Sequence, residues 1–195
     1  MERHGSISRK TRETEIQVEL GLDGTGAAEL ETGIPFFDHL LDSFARHGLF
    51  NLAIRARGDL EVDQHHAVED VGIALGQALE LAVGDRSGLR RFGSARIPMA
   101  DARISVDLDL SNRPYLVYRV GLERDWVGSF DAALVEDFLY AFCINGGVDL
   151  HVERSYGHST HHIVEAVFKG LGRALDAATT PDPRIQGALS TKGSL

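Results

Sequence analysis

DQHHAVEDVGIALGQALELAV, Asp63 to Val83, is written twice in this chain; the second copy, Ser159 to Thr179, reads STHHIVEAVFKGLGRALDAAT. With His65 laid over His161, the 19 positions from each His onward share ten identities without a gap. Self-similarity of this kind points to duplication of one structural unit. Each copy begins His-His-x-x-Glu and continues with apolar residues at helical spacing: Val68, Val71, Leu75 and Leu79 in one, Val164, Val167, Leu171 and Leu175 in the other. The motif therefore occupies the first turn of two equivalent helices. Side chains three or four apart share a helix face, so His65 or His66 can meet Glu69 at one ion, and His161 or His162 can meet Glu165. Adjacent residues point about 100° apart, because the helix has 3.6 residues per turn, so the two His of each pair serve different centres. One copy offers too few donors for either centre. Two copies give four imidazoles and two carboxylates, the donor set of a paired-metal site. The zinc-protease pattern HExxH, with its Glu between two His, is absent here.

Composition limits what such a site can act on. The chain has 195 residues, 43% of them hydrophobic, enough for one domain or two small fused units. Its 20 basic and 29 acidic residues give a net charge of −9, which argues against nucleic acid or an anionic membrane as the main partner. An anionic ligand must then be held by a few local Arg or Lys. Cys143 is the only cysteine, so no intrachain disulfide forms. No apolar run reaches the roughly 18 residues that span a bilayer, and MERHGSISRKTRET has no apolar signal-peptide core. A cytoplasmic location is expected.

Read outward from the two motifs, the halves carry elements in the same order. Ile16, Val18 and Leu20 alternate as a strand, GLDGTG turns, and AAELE returns to complete a hairpin. Pro35 opens a helix through FFDHLLDSFARHG that carries His39 and His47, with Gly48 as its stop. NLAIRAR reads as a strand, and Asp63 is the expected cap of the His65 helix. Residues 84–100 read as a connector. The order then recurs: strands through Ile104 to Leu110 and YLVYRV, a helix from Asp131 to Asn145, the strand VDLHVER, and the His161 helix capped by Thr160. The fold class expected is α+β, a tandem duplication of a strand-strand-helix-strand-helix unit. Each half is a mostly antiparallel sheet with two helices on one face, in two layers. The division falls between 1–88 and 89–195, the latter ending in a polar tail. That tail contains Ser190, Thr191, Lys192 and Gly193, whose hydroxyls, ammonium and exposed backbone suit a phosphate.

Several stretches resemble one family: RKTRET at Arg9 to Thr14, TGIPFFDHLLDSFARHG at Thr32 to Gly48, GDLEVDQHHAVED at Gly58 to Asp70, RFG at Arg91, SNRP at Ser111, HHIVEAVFK at His161 to Lys169, and the terminal STKG. Together they are similar to imidazoleglycerol-phosphate dehydratase, over nearly the whole chain. The resemblance implies dehydration of D-erythro-imidazole glycerol phosphate to imidazole acetol phosphate in histidine biosynthesis. It also implies two manganese ions per active site and an assembly of 24 subunits with sites between protomers. Carried over by position, its metal ligands fall on His39, His65, His66, Glu69, His161, His162 and Glu165. Its substrate contacts fall on Glu13, His39, His47, His65, Glu69, Arg91, Arg113, His161, Thr191, Lys192 and Gly193. Three departures stand out: Asp137 where the family usually has His, Gln64 where it has Asp, and Asn112 where it has Gly. Asp137 is the repeat partner of His39, and its carboxylate can replace the imidazole as a ligand for a hard ion.

The chemistry implied is loss of an unactivated hydroxyl beside an imidazole ring and of a barely acidic proton from the next carbon. Two cations on the two ring nitrogens would stabilise an imidazolate, whose electrons can expel the hydroxyl. Glu13 is the expected proton shuttle, with Glu69 and Glu165 as further catalytic candidates; Arg91, Arg113 and Lys192 would clamp the phosphate. Two other classes fit part of the pattern. A dimetal phosphoesterase would use similar ligands but is usually richer in Asp. A non-catalytic metal-binding protein would have no need of the phosphate-binding set.

Overall fold

The structure, a computed structural model, describes residues 3–122 and 125–192. The first half runs β1 (His4–Lys10), β2 (Thr14–Gly21), β3 (Ala28–Glu31), α1 (Pro35–Gly48), β4 (Asn51–Gly58) and α2 (His65–Val83). In the second half come β5 (Phe92–Met99), β6 (Ala102–Asp109), β7 (Tyr115–Arg119), the short pair β8 (Trp126–Val127) and β9 (Phe130–Asp131), α3 (Leu134–Gly146), β10 (Asp149–Tyr156) and α4 (Thr160–Thr179). The four-stranded sheets have matching orders, β1-β2-β4-β3 and β5-β6-β10-β7. In each, three strands are antiparallel. The fourth, β3 or β7, joins parallel after a crossover through α1 or α3. This is the duplicated α+β unit expected.

Two details of the expected unit change. AAELE does not fold back on β2; both edges of β2 are taken, by β1 and β4, so β3 pairs on the far side of β4, with Leu30 level with Ile54. The place beside β2 belongs to β1, a stretch with no expected element, and β5 likewise occupies part of the expected connector. Both strands show the same local text, His4-Gly5-Ser6 and Phe92-Gly93-Ser94. Gly5 and Gly93 press against the Ala78 and Ala174 carbonyls, and a Cβ at either would overlap the helix backbone. These glycines are what allow the outer strands to seat on α2 and α4.

The halves meet through their helices, α2 against α3 and α1 against α4. One continuous apolar core runs from sheet to sheet through all four. Phe37 of α1, Phe130 of β9, Phe138 of α3 and Phe168 of α4 interlock at its centre, with ring centroids 5.3–6.4 Å apart. Helix contact is closest at repeated glycines. A Cβ on Gly76 would collide with the Phe142 carbonyl, and one on Gly172 with the equivalent Phe44 carbonyl. Gly48 lies against Gly172 in turn, so its expected role as helix stop is revised. Leu49, at φ 57°, is the left-handed residue that ends α1. The caps move by one residue as well. Gln64 precedes α2 without a side-chain bond, while Asp63 Oδ1 accepts from the His65 N–H at 2.9 Å. Ser159, not Thr160, caps α4.

Candidate metal centre

Because α1 packs on α4, His39 from the first half faces His161 and Glu165 from the second. One ligand atom from each lies within 4.8 Å of the others. Glu165 Oε2 sits 3.3 Å from His39 Nε2 and 3.1 Å from His161 Nε2. Its other oxygen accepts from Lys169 Nζ at 2.6 Å. Burial would push the Glu165 carboxyl up, but Lys169 and His39 outweigh it and hold the group below its ordinary range. It is therefore an anion at neutral pH, poised between two imidazoles. Phe36 walls the group, 5.0 Å from the His161 ring and 5.9 Å from that of His39.

The same packing of α2 on α3 brings Asp137 to His65. His65 Nδ1 is 3.3 Å from Asp137 Oδ2, and His65 Nε2 is 3.8 Å from Glu69 Oε2. His65, not His66, thus shares its face with Glu69. The two carboxylates address opposite ring nitrogens, and the three donors converge less tightly than those around Glu165. The β8–β9 hairpin, which sequence reading missed, lies between the groups. Val127, Gly128 and Ser129 line the cavity beside His39, and Trp126, Ser129 and Asp131 line the one beside His65.

The second His of each pair turns away. The planes of His65 and His66 are inclined by 69°, those of His161 and His162 by 75°. His66 Nδ1 faces the Asp59 carboxylate at 3.1 Å, and His162 Nδ1 faces Asp101 at 2.5 Å. A carboxylate on Nδ1 fixes the tautomer and leaves Nε2 with its lone pair outward, the usual support of a metal-binding imidazole. Asp101 also accepts from the His158 and Ser159 backbone N–H groups; with His162 these hold its carboxyl well below the ordinary range. Asp59 and neighbouring Glu13 raise the His66 pKa. The donor set and its supports fit divalent cations.

The remaining candidates occupy two places. Glu13 lies exposed in the β1–β2 turn, lining a cavity with Asp59. Asp70, from the motif itself, anchors this turn by binding Arg9 at 2.8 Å and the Thr14 hydroxyl. Arg113, Thr191 and Lys192 line a separate open cavity of about 760 Å³ with Arg91, Asn112 and Arg184. Arg91 is largely committed: its guanidinium forks onto Asp109 at 2.6 and 2.8 Å and donates to the Leu189 carbonyl at 2.7 Å. It ties the tail to β6. Asn112 sits at φ 55°, which explains why a Gly or an Asn suits that position. Gly193 lies outside the described residues. His47 ends α1, beside Lys169 and Arg173, where burial and those charges lower its pKa. It stands two helical turns from His39, about 12 Å along the axis, and does not join the donor group.

Sequence reading overlooked Asp59, Asp101, Asp70 and the role of Lys169. The only trace was their placement within the quoted stretches or in a strand turn.

A family model described as imidazoleglycerol-phosphate dehydratase matches residues 32–175. Curated proteins of that name include one from a Geobacillus species, 53% identical over 195 residues with both chains wholly covered. Another, from Syntrophobacter fumaroxidans, is 55% identical over 193 residues, 99% of this chain and 98% of that one. A solved structure of IGPD from Pyrococcus furiosus superposes with a TM-score of 0.84 at 38% identity, covering 97% of this chain and 100% of that one.

Proposed function

This chain belongs to the imidazoleglycerol-phosphate dehydratase family, and we propose that it dehydrates D-erythro-imidazole glycerol phosphate to imidazole acetol phosphate at a centre of two divalent cations, manganese in the family's pattern. It is a hydro-lyase of histidine biosynthesis, and a cytoplasmic location is part of the proposal. The observation that carries the two-cation reading is the meeting of His39, His161 and Glu165 across the two halves, repeated in looser form by His65, Glu69 and Asp137. When bound, the cations would make the substrate's ring N–H acidic enough to lose its proton, and the electrons of the resulting anionic ring could expel the neighbouring hydroxyl.

The chain's own residues supply the rest. Glu13, exposed beside His66, would take the proton from the carbon next to the one that loses hydroxide and return a proton to the latter as the enol becomes the ketone. Glu69 and Glu165 are held to metal binding first, with a proton-transfer role secondary. Arg113, Thr191, Lys192 and Gly193 would grip the phosphate, and Arg91 would keep the tail in position.

His66 and His162 point away from both three-donor groups, and the phosphate-binding cavity shares no lining residue with either metal-side cavity. Both facts support sites completed by neighbouring copies in a large assembly, 24 subunits by resemblance. The units 1–88 and 89–195 are proposed as two half-repeats of one functional body, each holding one four-stranded sheet and two helices. Incubating manganese-loaded protein with imidazole glycerol phosphate should yield an enolisable ketone and no inorganic phosphate. Phosphate release without ketone would replace the reading with a phosphoesterase.

A further inference from the structure

The two three-donor groups differ in charge because the repeat has diverged at two positions. In the His39 group the lone carboxylate, Glu165, is 9% exposed and is already paired to Lys169 Nζ at 2.6 Å. An imidazole, His39, fills the remaining place, and Phe36 forms an apolar wall. In the first half the position of Lys169 is held by Ile73, so Glu69 has no cation four residues on. In the His65 group the counterpart of His39 is Asp137, a second carboxylate. Asp63 and Asp131 line the cavity beside it, and none of its carboxylates forms an ion pair with Lys or Arg among the described residues. With neutral imidazoles, one group combines an anion with an ammonium and the other combines two anions.

We infer that the two cation positions are unequal: the His65–Glu69–Asp137 position fills first, and Lys169, bound to the far oxygen of Glu165, is an internal cation whose charge weakens the second ion. This rests on the two-cation reading above. Each unit of charge within about 4 Å changes a divalent ion's dissociation constant by roughly tenfold or more, even where solvent screens it. Glu69 and Asp137 are 44% and 46% exposed, so their advantage is screened; Glu165 and Lys169 are more buried, so their pairing is screened less. Screening weakens the first effect without reversing its sign, and both charge differences favour the same order. The carboxylate-rich position also suits a hard ion, while the imidazole-rich one suits softer metals. Lys169 is then a specificity-determining residue that sets how much free metal the assembly needs for its second ion.

The test is equilibrium dialysis of the metal-loaded full-length assembly against buffered, falling free Mn2+, with bound manganese counted per chain by atomic emission. The native protein should release its ions in two steps, with a plateau at one per chain. Lys169→Met, which keeps length and removes charge, should tighten the weaker step about tenfold and leave the tighter one in place. Asp137→Asn should weaken the tighter step by a similar factor. Release of both ions in one step by the native protein, or a weaker step unmoved by Lys169→Met, overturns the inference. Saturation of fully loaded protein at one ion per chain would instead overturn the two-cation reading beneath it.

Discussion

Glu69 approaches the ring of His65 across one helical turn while His66, its neighbour in sequence, is held by Asp59 on another face. Replacing Glu69 with Gln keeps the side chain's size and removes its charge. The protein should retain its fold, because the apolar face of α2 is untouched, and lose one of two ions with nearly all dehydration activity. Metal content and far-ultraviolet circular dichroism of the purified variant check both halves of that statement. Asp101 acts one step further out. It contributes no donor to the metal, yet without it His162 is free to rotate or change tautomer, so Asp101→Ala should weaken retention of one ion about 10- to 100-fold. An unchanged manganese affinity would show that His162 needs no such support. The His-His-x-x-Glu residues were legible in sequence because 3.6 residues per turn fixes which side chains share a face. Asp59 and Asp101 were not, since strand register, rather than local spacing, carries them to the imidazoles.

At the scale of elements, the helices with their apolar period could be read directly, whereas β1 and β5 were hidden. Their burial alternates strictly but is partial, and inward places fall to Gly5 and Arg9 or to Gly93 and Ala95, residues that hide the apolar alternation on which strand reading depends. The repeated glycines were visible as identities, but their purpose is a contact between helices of different halves. Gly172→Ala would drive a methyl group into the backbone of α1. Overpacking of this kind costs about 1–3 kcal/mol, so the variant should melt several degrees lower. It should also bind metal more weakly, because separating α1 from α4 moves His39 away from His161. Gly84→Ala, where a Cβ meets nothing within 4 Å but φ is +60°, is a useful comparison: it tests backbone strain without touching the helix pair. The tail has its own anchor. Arg184, donating to the buried Asp182 at 2.6 and 2.8 Å, holds that carboxyl well below its ordinary range. A depressed carboxylate contributes stability above its unfolded value of about 3.9, and that contribution is lost as pH falls through the lower folded value. Asp182→Asn should therefore lower the melting temperature at pH 7 and differ progressively less from the native protein toward pH 2. A gap that persists in acid would assign the effect to packing.

For the whole molecule, metal and assembly are expected to be linked, since each divergent imidazole can serve an ion only alongside donors from another copy. Chelation should reduce particle size in light scattering, and added Mn2+ should restore it; full metal loss at constant size would separate the two. The overall plan was legible because the duplicated text imposes the same element order twice. The meeting of the halves was not, because the close helix pairs, α1 with α4 and α2 with α3, join parts far apart in the chain. That crossed pairing has a historical consequence. A lone half contains His39 without the His161 and Glu165 it faces, or Asp137 without His65 and Glu69, so an unfused ancestor would have needed a second identical chain to gather one set of donors. Joining two such chains made a compulsory encounter intramolecular and released the halves from identity. After that, a lysine could enter beside one glutamate and an aspartate opposite one histidine without the same change being forced on the other copy.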